Sequence, residues 1–363
     1  MRCRPLVFLA LIALTKTPFA HSDEKPISLQ PGVRGLVTLV PTAVKIDGRL
    51  DEWTNAFCTP VHYNHGNLAN RAAQFYYLWD HYALYVGLRA LDKTRVNPAP
   101  LSVIADGDAV ELYLDARAGE KLRGKEWTPG AVHLFFTPFE GAKVSPRWVV
   151  SQGIATSDIK LEGVEIAAST LESDAGYEVE FKIPWKNFPE FAPKPGSVFG
   201  IDAELCSSDG ARRSDRTFAY GSPLSVQQPA SLGLVELVSA FEPDYFAQVG
   251  PASFPIWVDT PWNQAQRALV WATIGVPPAF EEVVGEVEVR IHNADGAIVK
   301  TLKARPESFG PAKLGFVRAQ ANWSIDDYAP NTYFVTARVM TRTGKPITTV
   351  VPRLVEEAQM SGR

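Results

Sequence analysis

The chain has 363 residues, of which 46% are hydrophobic and 21% charged, with a formal net charge of -4. This length predicts two or three domains with sizeable cores, and the composition is that of a globular protein rather than a collagen-like, disordered or coiled-coil one. There is no basic excess to neutralise phosphates, which argues against a nucleic-acid partner, and three cysteines are too few for a disulfide scaffold or a four-thiolate zinc site.

At the start of the chain, Arg2 and Arg4 precede an apolar run from Leu6 to Leu14, and Pro18-Phe19-Ala20 ends in a small residue. Residues 1–20 therefore read as a secretory signal peptide cleaved after Ala20. The apolar run is too short for the ~20 residues of a membrane-spanning helix, and no later segment reaches that length. A secreted or periplasmic location follows, with residues 21–40 as a linker. Loss of Arg2, Arg4 and Lys16 makes the mature chain more acidic. It retains Cys58 and Cys206, a pair that an oxidising compartment can bridge or that β-structure can bury as free thiols.

Helical patterns are scarce beyond this point. Val110, Leu112 and Leu114 alternate with Glu111, Tyr113 and Asp115, and the same period of two recurs at Tyr177–Ile183 and Phe199–Leu205. Such stretches predict half-buried strands. Asp47-Gly48, Asp106-Gly107, Asp209-Gly210 and Asp295-Gly296 supply turns between them. Ile183-Pro184-Trp185 ends a strand, since proline cannot donate to the ladder, and Trp53 and Trp79 read as core residues. Gly233–Leu237 reads as a closing strand, and a boundary falls near 238–250. Strand candidates resume at 253–259, 267–276, 284–292, 296–303, 313–321 and 332–340, the last returning through Thr343-Gly344-Lys345 to 346–354. The expected fold is all-β, with one β-sandwich at 41–240 and a second, immunoglobulin-like one at 250–358.

The first of these carries a more specific pattern. Lys45-Ile46-Asp47-Gly48-Arg49-Leu50-Asp51-Glu52-Trp53 is followed by Leu78-Trp79-Asp80, Leu84-Tyr85-Val86 and Gly107-Asp108-Ala109-Val110-Glu111. Gly176-Tyr177-Glu178-Val179-Glu180, Ile183-Pro184-Trp185 and Leu232-Gly233-Leu234-Val235-Glu236-Leu237 come next. In order and spacing, residues 41–237 resemble the family 9 carbohydrate-binding module and its broader DOMON-like superfamily. The resemblance implies a non-catalytic module on an exported protein, with a terminal sugar held in a slot between two tryptophans and its hydroxyls bonded by polar side chains. The positions resembling the tryptophans are Ala105 and Val226, so both platforms are replaced. The polar positions fall at Glu111, His133 and Glu204, of which Glu111 alone matches in kind. By strand alternation these three occupy an outward, polar sheet face, where Glu111 contributes little to the core. Trp127 and Trp148, read as loop residues, and Tyr220, after an Arg-rich turn at 212–216, are the available replacement aromatics. Trp127 is the candidate platform.

Catalytic and metal readings are weaker. Asp106, Asp108 and Glu111 resemble paired carboxylates, but Asp106 and Asp108 flank Gly107, where Asp serves a turn. His62 and His65 lack the glutamate and helix of a zinc protease. No cofactor is expected. Structural calcium is the one ion the resemblance allows, with Asp47, Asp51 and Asp92 as oxygen donors. Haem held by methionine, known in the broader superfamily, is not expected, because Met340 and Met360 lie outside the first sandwich. Two functions follow from the resemblance. The first is an exported carbohydrate- or glycan-binding protein. The second is a structural or adhesion protein of the cell envelope, whose first sandwich contacts an envelope protein partner.

Overall fold

The computed structural model describes residues 29–40, 43–53, 56–62, 72–92, 101–141, 143–151, 160–171, 176–208, 213–220 and 223–240 of the first part of the chain. In the second part it describes 256–259, 267–275, 284–293, 295–304, 306–308, 316–324, 333–341, 346–349 and 353–355. The leader-like segment 1–20, residues 21–28, His65, the Asp209-Gly210 turn, the boundary at 241–250, Thr343-Gly344-Lys345 and Met360 lie outside the described residues.

The first part is built of β1 (Val33–Leu39), β2 (Phe57–His62), β3 (Ala72–Trp79), β4 (Ala83–Leu91), β5 (Ala109–Asp115) and β6 (Ala131–Glu140), then β7 (Lys143–Val150), β8 (Glu165–Thr170), β9 (Gly176–Pro184), β10 (Val198–Ser208), β11 (Arg213–Phe218) and β12 (Gly233–Val238). The predicted alternating runs are β5, β9 and β10, and β9 stops at Pro184 as expected. Hydrogen bonds join all twelve in one sheet, ordered β7-β6-β5-β10-β12-β1-β3-β4-β9-β8, with β11 beside β10 and β2 beside β3. This sheet folds over on itself. Phe136 of β6 stacks on Phe181 of β9 with ring centroids 4.7 Å apart, and Phe139 meets Tyr177 edge-on at 5.2 Å. The result is a sandwich whose interior takes Val110, Leu112, Leu114, Leu134, Val179, Ile183, Phe199 and Ile201, the inward half of each alternation. Trp79 is buried there and its indole N–H donates to the Val238 carbonyl at 3.0 Å.

A smaller apolar cluster, Leu50, Trp53, Ala56, Cys58, Tyr76, Leu78, Ala83 and Tyr85, lies apart from that interior. What holds the Asp47–Trp53 segment against the sheet is Glu180. Its carboxylate accepts the backbone N–H groups of Asp47 (2.7 Å), Gly48 (2.6 Å) and Arg49 (3.3 Å) and the Trp53 indole N–H (2.9 Å). Burial pushes this carboxyl up, and the bonds from Trp53, Gly48 and Asp47 work against that rise. Gly48 has φ +87°, and a Cβ there would come within 2.5 Å of the Ala168 backbone, so the turn requires glycine. Cys58 and Cys206 are both buried and are not joined in a disulfide.

In the second part, β13 (Ile256–Asp259), β14 (Arg267–Gly275), β15 (Val284–His292), β16 (Ile298–Ala304), β17 (Pro306–Ser308), β18 (Phe316–Ser324), β19 (Tyr333–Thr341), β20 (Pro346–Thr349) and β21 (Arg353–Val355) follow the expected strand series. They form two antiparallel sheets, β13-β14-β18-β17 and β16-β15-β19-β20, with β21 beside β19.

Removing the Glu180 carboxylate strands several buried donors at once. Glu180→Ala should lower the unfolding free energy of the full chain by about 3 kcal/mol in urea denaturation. An unchanged midpoint would refute the assigned role.

Candidate functional site

The outer face of the β6-β5-β10-β11 layer gathers the expected residues. Glu111 of β5 stands directly opposite Glu204 of β10, and Tyr113 opposite His133 of β6. On the far side of β10, Arg216 pairs with Cys206 and Phe218 with Glu204. The loop between β5 and β6 carries Trp127, whose ring lies 6.3 Å from Tyr113 and 6.2 Å from His133, while Tyr113 and His133 stack at 4.1 Å. Glu111, His133, Glu204 and Trp127 therefore do meet on one face.

That face is not the solvated surface that alternation predicted. Glu111 is 2% exposed, His133 1%, Glu204 0% and Trp127 5%. Outward from the sandwich interior is not outward to water, because a second layer covers the strands. Tyr113, Trp127, Ala131 and Leu232 form an apolar cluster of their own, with Phe218 and Val226 packed against it. Trp127 is thus a packed lid residue rather than an open platform. Trp148 lies in β7, not a loop, and turns its ring edge-on to Phe181. Tyr220 is buried, with its phenol oxygen accepting from the Thr59 hydroxyl at 2.9 Å. The residues 213–216 read as a turn belong to β11, which brings two arginines onto the face.

Those arginines are the part that sequence reasoning missed. Arg216 forks onto Glu204, from Nε to Oε1 and from Nη2 to Oε2, the latter at 2.7 Å. Arg213 Nη1 lies 3.3 Å from Glu111 Oε1 and 3.8 Å from Cys206 Sγ. A register shift at Ser207/Ser208 offsets the two arginines by three positions instead of two, which hid the alternation that would have marked them. On the other side, His133 Nε2 is 2.8 Å from Glu111 Oε2, and His133 Nδ1 is buried without a partner among the described residues.

Tyr113 ties the two carboxyl groups together, its hydroxyl lying 2.6 Å from Glu111 Oε2 and 2.7 Å from Glu204 Oε2. A phenol carries one proton and two such short contacts need two, so the glutamate pair holds a proton. Burial works to raise the Glu111 carboxyl, but the bond and charge of His133 and the bonds from Tyr113 and Cys206 outweigh it and hold Glu111 low. Glu204 is pushed up by burial and by the Glu111 charge, against the pull of Arg216. Burial beside both carboxyl groups also pushes the Cys206 thiol well up.

The loops over the face are pinned by two further acids. Asp115 accepts Arg117 Nε at 2.7 Å and Nη2 at 2.8 Å, and Arg117 Nη1 donates to the Glu126 carbonyl (2.8 Å) and to Thr128 Oγ1 (2.9 Å), bracketing Trp127. Asp202 accepts the N–H groups of Ala203 and Tyr220, each at 2.9 Å, and the Ser225 hydroxyl at 2.6 Å, next to Val226. Burial pushes Asp202 up to about 6, with those three bonds opposing it.

Glu111, Glu204 and Cys206 are close enough for one ion, with ligand atoms within 4.8 Å of one another. The donor set does not suit a divalent cation: two arginines already occupy the carboxylates, and the thiol is held protonated. Among the described residues, Asp47, Asp51 and Asp92, the expected calcium donors, form no three-ligand cluster; Asp47 lies 2.7 Å from Lys45 and Asp51 3.2 Å from Arg49. Asp108 does not face Glu111 as a catalytic partner. It is buried and accepts the Ser208 N–H at 2.7 Å.

Two outcomes follow. Glu111→Ala should destabilise the full chain by about 3 kcal/mol, because it leaves His133 and Arg213 without their shared acceptor; a melt superimposable on the wild type would restore the exposed-face reading. For Asp202 the sign is set by a folded-state value above the ordinary one. Its stabilisation is present below about pH 4 and is lost as pH rises through about 6, so wild type should lose roughly 2 kcal/mol relative to Asp202→Asn between pH 4 and pH 6. Urea titrations at both pH values measure the difference, and parallel curves would contradict it.

Comparison with known proteins places this architecture. A search of the curated proteins finds no match. Among solved structures, a carbohydrate-binding module family 9 from Caldicellulosiruptor kristjanssonii in complex with cellotriose is 20% identical, covering 57% of this chain and 95% of that one, with a TM-score of 0.44. The same organism's module in complex with glucose is 21% identical over 57% and 97%, also with a TM-score of 0.44. A family model described as carbohydrate family 9 binding domain-like matches residues 46–240. That match takes in more than half of the sequence, and the chain belongs to the carbohydrate family 9 binding domain-like family.

Proposed function

We propose that the chain is an exported, non-catalytic carbohydrate-binding protein. In this reading its first sandwich, residues 41–240, takes a sugar on the outer face of β6-β5-β10-β11, and residues 250–358 form a separate immunoglobulin-like unit. The observation that carries the reading is the family match over the sandwich that bears this face. The face supports it chemically: Phe135 and Phe218 are half-buried beside the polar cluster, and a sugar ring has an apolar side that stacks on such rings. Supporting a non-catalytic role, both glutamates are engaged by arginine, histidine and tyrosine rather than open to a substrate. Export rests on the leader-like residues 1–20, and among the described residues no helix is long and apolar enough to cross a membrane.

One observation favours the alternative, a structural or adhesion role with a protein partner. By the resemblance, the family's slot positions fall at Ala105 and near Val226, neither a tryptophan, and the polar residues expected to bond a sugar are covered. Weak sugar binding is therefore the expectation, with Kd in the high-micromolar to millimolar range, roughly 4 to 6 kcal/mol. The test is calorimetry of the full chain, purified from exported material whose N-terminus should read His21, against cello-, xylo- and chito-oligosaccharides and acidic glycans. Phe135→Ala should weaken whatever binding is seen about three- to tenfold. No heat with any glycan would favour the structural reading.

A further inference from the structure

Among the described side chains, Arg213 and Arg216 are the groups that reach solvent over the buried carboxyl pair, and both are donors. Arg213 and Arg216 keep 30% and 27% of their side chains exposed, while Glu111 and Glu204 beneath them are sealed. Each guanidinium spends only part of its fork inward. Arg213 uses Nη1, and Arg216 uses Nε and Nη2, so Arg213 Nε and Nη2 and Arg216 Nη1 make no hydrogen bond to the described residues. A guanidinium has no acceptor to offer. A neutral sugar needs acceptors for its hydroxyl protons, and the carboxylates that would supply them are covered.

We propose that the face selects an acidic sugar, its uronate carboxylate bonding the outer edges of Arg213 and Arg216 and its ring lying beside Phe218; this rests on the carbohydrate-binding reading above. Arginine suits the task because its planar fork matches a carboxylate bidentately. Arg216 is braced for it, its guanidinium carbon 5.1 Å from the centroid of Phe218. In this proposal pairing with an anion takes the place of stacking on a neutral ring between two tryptophans.

The test is calorimetry of the full chain with tri-galacturonate and tri-mannuronate, each beside its methyl ester, which keeps the ring and removes the charge. Each acid series is run at low and high salt, and a sulfated galactan trisaccharide forms a further arm. At least one free acid should bind ten times or more tightly than its ester, and the advantage should shrink as salt rises. Arg213→Gln should bring acid and ester to within about twofold of each other, while Arg213→Lys, which keeps the charge without the fork, should retain an intermediate preference. Arg213 is the better position to vary, since loss of Arg216 would strand Glu204. Should Arg213→Gln not fold, the salt series on the wild type decides, and a salt-independent preference overturns the proposal. Esters binding as well as acids would overturn it and leave carbohydrate binding standing, and tighter binding of the sulfated sugar would overturn the carboxylate assignment. Silence with all of these and with the neutral glycans would remove the carbohydrate reading itself.

Discussion

Two glutamates that face each other across adjacent strands cannot both be buried and charged without compensation. Glu111 and Glu204 are nearly inaccessible and bridged by one phenol, and isolated like charges in such a place would cost several kcal/mol. The rest of the face follows from that constraint. Arg216 takes Glu204, His133 and Arg213 take Glu111, and Tyr113 lies between them with room for one extra proton. Trp127 then shields Tyr113 and His133 from water, and Arg117 holds the Trp127 loop by its backbone and by Thr128. Remove the carboxyl pair and there is no reason for two arginines on β11.

Elsewhere in the sandwich the same device serves a different end. Glu180 is another buried carboxylate, but its partners are backbone N–H groups of a turn and one indole. It fastens a segment to the sheet and keeps nothing for a ligand. The contrast lies in the neighbours. A carboxylate satisfied by fixed donors is complete, whereas one satisfied by half-exposed guanidiniums leaves further donors facing outward.

How much of this was legible beforehand depended on range. Period-two patterns at Val110–Asp115, Tyr177–Ile183 and Phe199–Leu205 named β5, β9 and β10 and the faces they present, because alternation is local. Trp53 and Trp79 read as core in the sequence and are buried. The convergence of Glu111, His133 and Glu204 was also readable, since it needs only strand neighbourhood. Their burial was not, because it depends on residues some distance along the chain: Trp127 in a loop, Leu232 and Val226 after β11, and Arg213 and Arg216 on a strand whose register shift broke the pattern. Trp148, expected in a loop, lies in β7. Alternation says which side of a sheet a residue takes, and nothing about what lies on that side.

Among the described strands, β11 hydrogen-bonds to β10 alone, along the half of β10 that β12 leaves free. The strand that carries the exposed cations is therefore not needed to close the sandwich, whose interior is contributed by other strands. Selection can rewrite β11, exchanging arginine for other polar or aromatic residues, with little penalty to folding, so long as the glutamates under it change in step. On the reading proposed above, relatives with one core diverge in the chemistry they recognise through the six residues of this edge strand, provided the glutamates beneath change together with the arginines.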